Sequence, residues 1–306
     1  MSVKAIDLFA GAGGTSAGAK MSGVNIVWAA NHHPVAVEYH AINHPDTIHL
    51  CQDLQQADWS LVPEHDIVFA SPCCQGHSRA AGKKRKTKKA DQSRSTAWAV
   101  VSCLESHRSP IAIIENVSDF LDWELYKPWA SAMQTLGYAL SINHVNAADL
   151  GVPQSRNRLF IVATRSKNPI TLQLPKREHV AARSFIDTNM AGHEWDLVAN
   201  RVEATKRRIR NGRRQFGEIF LDAAYGTARS GRSIDKPLGT VTTNNKHSLV
   251  IGDKIRPLNI TELAAAQTFE PYYQWPKSKT LTKMMIGNAV PPLMAKEVTT
   301  AVLKAA

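Results

Sequence analysis

Cysteine is scarce, with four in 306 residues. That is too few for a disulfide scaffold. Cys73 and Cys74 are adjacent, but no second pair at CxxC-like spacing accompanies them to build a zinc site. Long apolar runs are missing, and none approaches the ~18 residues of a membrane span. The opening residues, Met1-Ser2-Val3-Lys4-Ala5-Ile6-Asp7, lack the charged-then-apolar order of a secretory signal. A reduced, cytoplasmic protein with no membrane partner is expected. Acidic residues are in deficit: 26 Asp and Glu face 37 Lys and Arg, a formal net charge of +11. That imbalance points to an anionic partner, nucleic acid before membrane, and says nothing about fold.

The length suits one large domain, or one large and one small. A hydrophobic share of 43% supplies a sizeable core. The first apolar run, residues 3–9, ends in Gly11-Ala12-Gly13-Gly14 and leads into helix-compatible residues. That order is strand, tight turn, helix. Further strands are predicted at 25–30, 66–70, 111–114 and 159–163, with helices from Pro34 and across 96–105. Such alternation predicts an α/β fold of parallel βαβ units with right-handed crossovers. Ligands bind such sheets at the carboxyl ends of their strands. The alternation weakens after about residue 167. Residues 167–254 are expected to form a smaller domain, with 1–166 and 255–306 making the larger one. Thr261 is a candidate helix cap, and Pro291-Pro292 are expected to open a last helix.

Four segments at those strand ends can carry chemistry. The turn Phe9-Ala10-Gly11-Ala12-Gly13-Gly14 lets backbone approach a ligand, and the helix behind it favours an anionic group. Its GxGG spacing does not match the dinucleotide fingerprint, so a nucleoside bearing a small carboxylate fits better than a pyrophosphate. A tight turn without a ligand is the plain alternative. The position where a ribose-binding acid is expected holds Asn31, which can still bond hydroxyls. Asp53 can meet an adenine amino group, or be an ordinary loop aspartate. Ser71-Pro72-Cys73-Cys74-Gln75-Gly76-His77-Ser78 follows a buried strand. A free thiol of pKa ~8.5 is only a few per cent thiolate at pH 7, so a nucleophile there needs positive potential nearby. A buried cysteine is more often a small hydrophobe. Glu115 follows the strand 111–114. Its plain alternative is a helix-capping or loop acid. Arg156 and Arg158, two apart before the strand 159–163, should point to one side, or else be a solvated pair.

Taken together, these segments resemble the DNA (cytosine-5) methyltransferase family. The matching blocks, in family order, begin with Asp7-Leu8-Phe9-Ala10-Gly11-Ala12-Gly13-Gly14 and Pro72-Cys73-Cys74-Gln75-Gly76-His77-Ser78. They continue with Glu115-Asn116-Val117, Gln154-Ser155-Arg156-Asn157-Arg158, Arg256-Pro257-Leu258-Asn259-Ile260-Thr261-Glu262 and Gly287-Asn288-Ala289-Val290-Pro291-Pro292. The family pattern is Pro-Pro-Cys-Gln, so Cys74 takes the nucleophile's place and Cys73 stands where the second Pro is usual. Asn31 replaces the usual ribose-binding Glu.

The resemblance implies a Rossmann-like, mostly parallel sheet flanked by helices, with a smaller target-recognition domain at 167–254. It implies S-adenosylmethionine as methyl donor, S-adenosylhomocysteine as product and double-stranded DNA as substrate. Phe9 would pack on the adenine, and Gly11, Gly13 and Gly14 would hold the methionine end. Asn31 and Asp53 would meet ribose and adenine, with Pro72 and Asn288 bordering the pocket. Cys74 would add to C6 of cytosine, Glu115 would hydrogen-bond or protonate N3, Arg158 would hold O2 and Arg156 would support the site. The target atom is hidden inside a duplex, so the base must be flipped out, at a few kcal/mol.

Residues 79–97 follow Cys74 directly and suit a closing loop. Arg79, Lys83, Lys84, Arg85, Lys86 and Arg94 in it are expected to meet DNA, as are Arg207, Arg208, Arg229 and Arg232 in the smaller domain. A charge run is usually a solvated surface, but this one adjoins the nucleophile. The leading expectation is a sequence-specific DNA cytosine-5 methyltransferase of a bacterial or phage modification system. A monomer is expected, with or without a cognate restriction endonuclease. A transfer-RNA cytosine-5 methyltransferase on the same scaffold, or a non-catalytic DNA-binding relative, are the alternatives. The variable basic region favours DNA, and intact Cys74, Glu115 and Arg158 favour catalysis. An amino-methyltransferase is disfavoured, because no Asp/Asn-Pro-Pro-Tyr/Phe/Trp segment is present to hold an exocyclic amine.

Overall fold

The computed structural model describes residues 2–73, 95–225 and 228–306. The chain divides into two compact units: Met1–Asn146 with Asn157–Pro175 and Val290–Ala306, and Ala147–Arg156 with Lys176–Ala289.

The first unit is built on a seven-stranded sheet. Its strands are β1 (Lys4–Leu8), β2 (Asn25–Asn31), β3 (Ile48–Cys51), β4 (Ile67–Ala70), β5 (Ile111–Asn116), β6 (Ala139–Asn146) and β7 (Asn157–Thr164), in the spatial order β3-β2-β1-β4-β5-β7-β6. β1, β4 and β5 are short runs dominated by Val, Ile, Leu, Ala and Phe and buried almost throughout. That is the signature of central strands covered on both faces. Helices α1 (Gly14–Met21), α2 (Pro34–Asn43), α3 (Trp98–His107), α4 (Tyr126–Thr135) and the C-terminal α8 (Pro292–Ala305) belong to this unit. Pro34 and Pro292 both sit at helix starts, where a missing N–H costs nothing. α1 and α8 approach so closely that a Cβ at Gly18 would overlap Pro292 O and Ala295.

β1 to β5 run parallel, but β7 is antiparallel to both β5 and β6. This corrects the expectation that the strand at 159–163 belongs to a parallel βαβ unit. β6 precedes it directly as an edge strand, and its polar sequence, Ala-Leu-Ser-Ile-Asn-His-Val-Asn, hides it from apolar-run analysis. The reversal matters for the chemistry: it brings the start of β7 to the carboxyl edge of β5.

The second unit holds a four-stranded antiparallel sheet ordered β8-β11-β10-β9. Its strands are β8 (Asp196–Leu197), β9 (Ile219–Ala223), β10 (His247–Ile251) and β11 (Lys254–Pro257). Helix α5 (Glu203–Phe216) packs on it through Ile209 against Phe220, Val250 and Ile255. Gly212 makes this approach possible, since a Cβ there would overlap the Phe220 ring. α6 (Ile260–Ala266) and α7 (Lys279–Asn288) complete the unit. The N-cap of α6 is Asn259, not Thr261. Asn259 and Glu262 form a reciprocal capping box, with Glu262 N–H donating to Asn259 Oδ1 and Asn259 N–H to Glu262 Oε2. Residues 147–156 and 255–289 group with this unit because β11 pairs with β10 and Gln154 bonds to Ala266 and Gln267.

Candidate active site

Strand order reverses between β1 and β4, and the carboxyl ends of those strands flank the crevice. The glycine turn leaves β1 there. Phe9, Gly11 and Gly13 have φ of 63°, 54° and 83°. A non-glycine residue in that region costs roughly 1–3 kcal/mol, and such strain gathers at ligand sites. The turn is held by Ala10 N–H to Ala30 O at 3.1 Å and Gly13 N–H to Ala10 O at 2.9 Å. Gly13 is the N-cap of α1 and supplies no side-chain cap, so side-chain-free backbone ends the turn. Phe9 is half-buried against the core.

Asn31 ends β2, and its Oδ1 accepts from His33 N–H at 2.9 Å. Asp53 follows β3, is exposed, and its Oδ1 accepts from Gln55 N–H at 3.0 Å. Asn31 ends the strand beside β1, and Asp53 lies just past the carboxyl end of the next strand out.

The exit from β4 is tied at each step. Ser71 N–H donates to Leu8 O at 3.2 Å, Asn116 Nδ2 donates to Pro72 O at 3.1 Å, and Cys73 N–H donates to Thr96 Oγ1 at 3.0 Å. Gln55 Nε2 also donates to Ser95 Oγ at 2.8 Å. Thus both described flanks of residues 74–94 are pinned beside the sheet edge. Cys74, Arg79, Lys83, Lys84, Arg85, Lys86 and Arg94 lie outside the described residues.

Glu115 stands near the end of β5, next to β4. Its Oε1 is 2.9 Å from Arg158 Nε, and both side chains are nearly buried, at 13% and 14% exposure. A second bond, Arg158 Nη1 to Asn157 O at 2.7 Å, fixes the orientation of the guanidinium. A pocket beside the pair is lined by Thr15, Ser71, Glu115, Phe160 and Thr299.

The expected same-side arginine pair is not formed. β7 starts at Asn157, so Arg156 precedes the strand and its alternation. Arg156 is buried in the second unit, donating to Val241 O, Gly287 O and Ala289 O at 2.9–3.0 Å. It therefore braces the two residues that flank Asn288, and neither arginine is a solvated pair member. Gln154 does similar work: it donates to Ala266 O and accepts from Val241 N–H.

Of the four arginines assigned to DNA in 167–254, Arg207, Arg229 and Arg232 are exposed. Arg208 is not available. Its Nε and Nη2 both bond to the Asp222 carboxylate at 2.9 Å, with the aspartate side chain 5% exposed. Position along α5 decides this: Arg208 faces the sheet and Arg207 faces away. Sequence reasoning did not mark Thr96 and Asn116 as anchors of the β4 exit. Asn116 sits inside a motif and was legible there; Thr96 lies 23 residues from its partner and carries no local signal.

The C-5 cytosine-specific DNA methylase family matches residues 3–304. The chain is 29% identical over 331 aligned residues to the Type II methyltransferase M1.HphI of Haemophilus parahaemolyticus, covering 99% of this chain and 87% of that one. It is 28% identical to M.HindV of Haemophilus influenzae, covering 98% and 96%. Among solved structures, a putative DNA modification methyltransferase encoded within an E. coli prophage superposes with a TM-score of 0.73 at 17% identity, covering 99% of each chain. Spodoptera frugiperda DNMT2 superposes at 0.69 with 19% identity, again over 99% of each. These two establish the shared fold, and the family match across nearly the whole chain establishes that this protein belongs to the C-5 cytosine-specific DNA methylases.

Proposed function

We propose that this DNA cytosine-5 methyltransferase methylates a specific duplex sequence through a covalent cysteine adduct, using S-adenosylmethionine as cofactor. The residues present fit that cofactor. The glycine turn offers backbone without side chains at an uncapped helix start, which suits a carboxylate. Phe9 offers an aromatic face, while Asn31 and Asp53 offer polar groups at neighbouring strand ends. When bound, S-adenosylmethionine supplies an electrophilic methyl group.

C5 of cytosine is too weak a nucleophile to take a methyl unaided. Cys74 Sγ, as thiolate, forms a bond to C6, and the C5–C6 electron pair makes C5 nucleophilic. Glu115, as the protonated carboxyl, gives its proton to N3 as negative charge develops there and takes it back when the product forms, while Arg158 pairs with the carboxylate left behind and donates to O2. After C5 gains the methyl, loss of its proton to a base re-forms the double bond and expels the thiolate. The observation that carries this proposal is the Glu115–Arg158 pair at 2.9 Å on β5 and β7, one strand from the anchored Pro72-Cys73 peptide that leads into Cys74. Donors fixed in advance stabilise developing charge without reorganisation.

The exposed Arg207, Arg229 and Arg232, and the basic stretch after Cys74, supply phosphate contacts. The second unit reads the target sequence, and the fit is to the methyltransferase of a Type II restriction-modification system, as its relatives are named. Bisulfite sequencing of plasmid from expressing cells tests this. Protected cytosines at one recurrent sequence are expected. Fully converted plasmid, with labelled methyl appearing only in RNA, would contradict it.

A further inference from the structure

Beneath the glycine turn lies a buried polar chain that the reaction does not use. Asp7 on β1, Ser16 on α1 and His40 on α2 are each at most 1% exposed. Ser16 Oγ–H donates to Asp7 Oδ2 at 2.6 Å. His40 Nε2 lies 3.1 Å from Ser16 Oγ, and His40 Nδ1 lies 2.8 Å from His49 Nε2 on β3. His44, its ring centroid 4.5 Å from that of His40, bonds to the Gly13 carbonyl.

Asp7 and Ser16 stand on either side of the turn, so their bond closes it like a clasp. Burial keeps His40 neutral. A neutral imidazole has one donor and one acceptor nitrogen, so His40 links Ser16 to His49 in a single sense. Burying such a chain is costly unless every member is satisfied, and this one runs from the turn to the strand beside Asn31.

We propose that Asp7, Ser16, His40 and His49 form a positioning relay that holds the glycine turn in its cofactor-accepting shape. The relay sets cofactor affinity without touching the cofactor. It links the turn that takes the methionine end to β3 and β2, which carry the ribose end. This rests on the assignment of the turn to S-adenosylmethionine.

Titration of the full chain with S-adenosylhomocysteine, by calorimetry, tests it. Ser16→Ala and His40→Phe should each weaken binding about tenfold, ~1.4 kcal/mol. His49→Phe, at the half-buried end, should have a smaller effect. Asp7→Asn keeps a neutral acceptor of the same shape and should stay within about threefold of wild type, because the acceptor and its hydrogen bond are retained. Duplex DNA binding without cofactor should be unchanged in all four, a split that general loss of structure would not produce. Ser16→Ala removes one oxygen and decides the matter if His40→Phe does not fold. Wild-type affinity in Ser16→Ala, or parallel loss of DNA binding, overturns the relay alone. Failure of the wild type to bind S-adenosylhomocysteine overturns the assignment of the turn and, with it, the relay's role in cofactor binding.

Discussion

Acidification from pH 7 to 5 should destabilise this protein steeply. His44 and His247 are 4% and 1% exposed, and burial is the main cause that lowers both from 6.5 to about 4. Burial also holds His40 well below its ordinary value, and lowers His49 and His65 in the same direction. An unfolded chain protonates these rings near 6.5, while the native chain does not. Their stabilisation is therefore intact above about 6.5 and lost as pH falls toward 4. Asp7 opposes them: burial raises it from 3.8 to about 7, so its share of stability is present at low pH and lost as pH rises through 7. His40, His44 and His247 against Asp7 leave a net of about two protons, a slope of ~2.7 kcal/mol per pH unit between 6 and 4.5. With a urea dependence of about 2–3 kcal/mol per molar, the unfolding midpoint should drop by ~1 M per pH unit. Urea unfolding at pH 7, 6 and 5 and constant ionic strength reads this directly. His247→Asn should flatten the slope by about 1.4 kcal/mol per pH unit. A midpoint that is constant or rises from pH 6 to 5 would refute the reasoning.

Arg156→Ala should cost at least ~3 kcal/mol in urea unfolding, because three buried carbonyls lose a charged donor. Arg158→Ala should also destabilise, by up to ~3 kcal/mol, because Glu115 is left nearly buried without its partner, but it should in addition lose most methyl transfer in the folded protein, so full transfer would contradict its role. Gly287→Ala should destabilise by roughly 1–3 kcal/mol, since its Cβ would overlap the Thr242–Thr243 backbone, and thermal unfolding checks it. Glu115→Gln should slow single-turnover methyl transfer at least ~100-fold while sparing DNA and cofactor binding, and unchanged turnover would remove it from the mechanism. Neutralising Lys83, Lys84, Arg85 and Lys86 together should flatten the salt dependence of DNA binding by up to ~0.9 for each phosphate that is no longer neutralised. An unchanged slope would leave that stretch in solvent.

The central parallel strands were legible because burial on both faces writes a continuous apolar run, as in residues 111–114. The placement of the glycine turn and Glu115 at the carboxyl edge of the sheet followed, since both come directly after such runs. The antiparallel return was not legible. β6 is a polar edge strand, so nothing announced the hairpin that carries Arg158 back to Glu115. Arg156 and Arg158 look alike in sequence, and only the start of β7 at Asn157 separates the buried brace from the partner of Glu115. Arg208 departs from its expected role for a related reason. A run of cations on α5 says nothing of which one meets Asp222, fourteen residues away. The His40 relay was invisible because a buried histidine carries no local pattern, and its partners come from three other elements.

The claim at the centre is chemical: a thiolate at position 74 bonds to a flipped cytosine. A duplex carrying 5-fluorocytosine at the target position, incubated with the protein and S-adenosylmethionine, tests it most directly, because fluorine at C5 blocks the elimination that would release the enzyme. A denaturation-resistant complex is expected, with the base mapped by peptide mass spectrometry to Cys74 and lost in Cys74→Ser but not in Cys73→Ser. A crosslink at Cys73, or none despite tight binding of duplex and cofactor, would contradict the account.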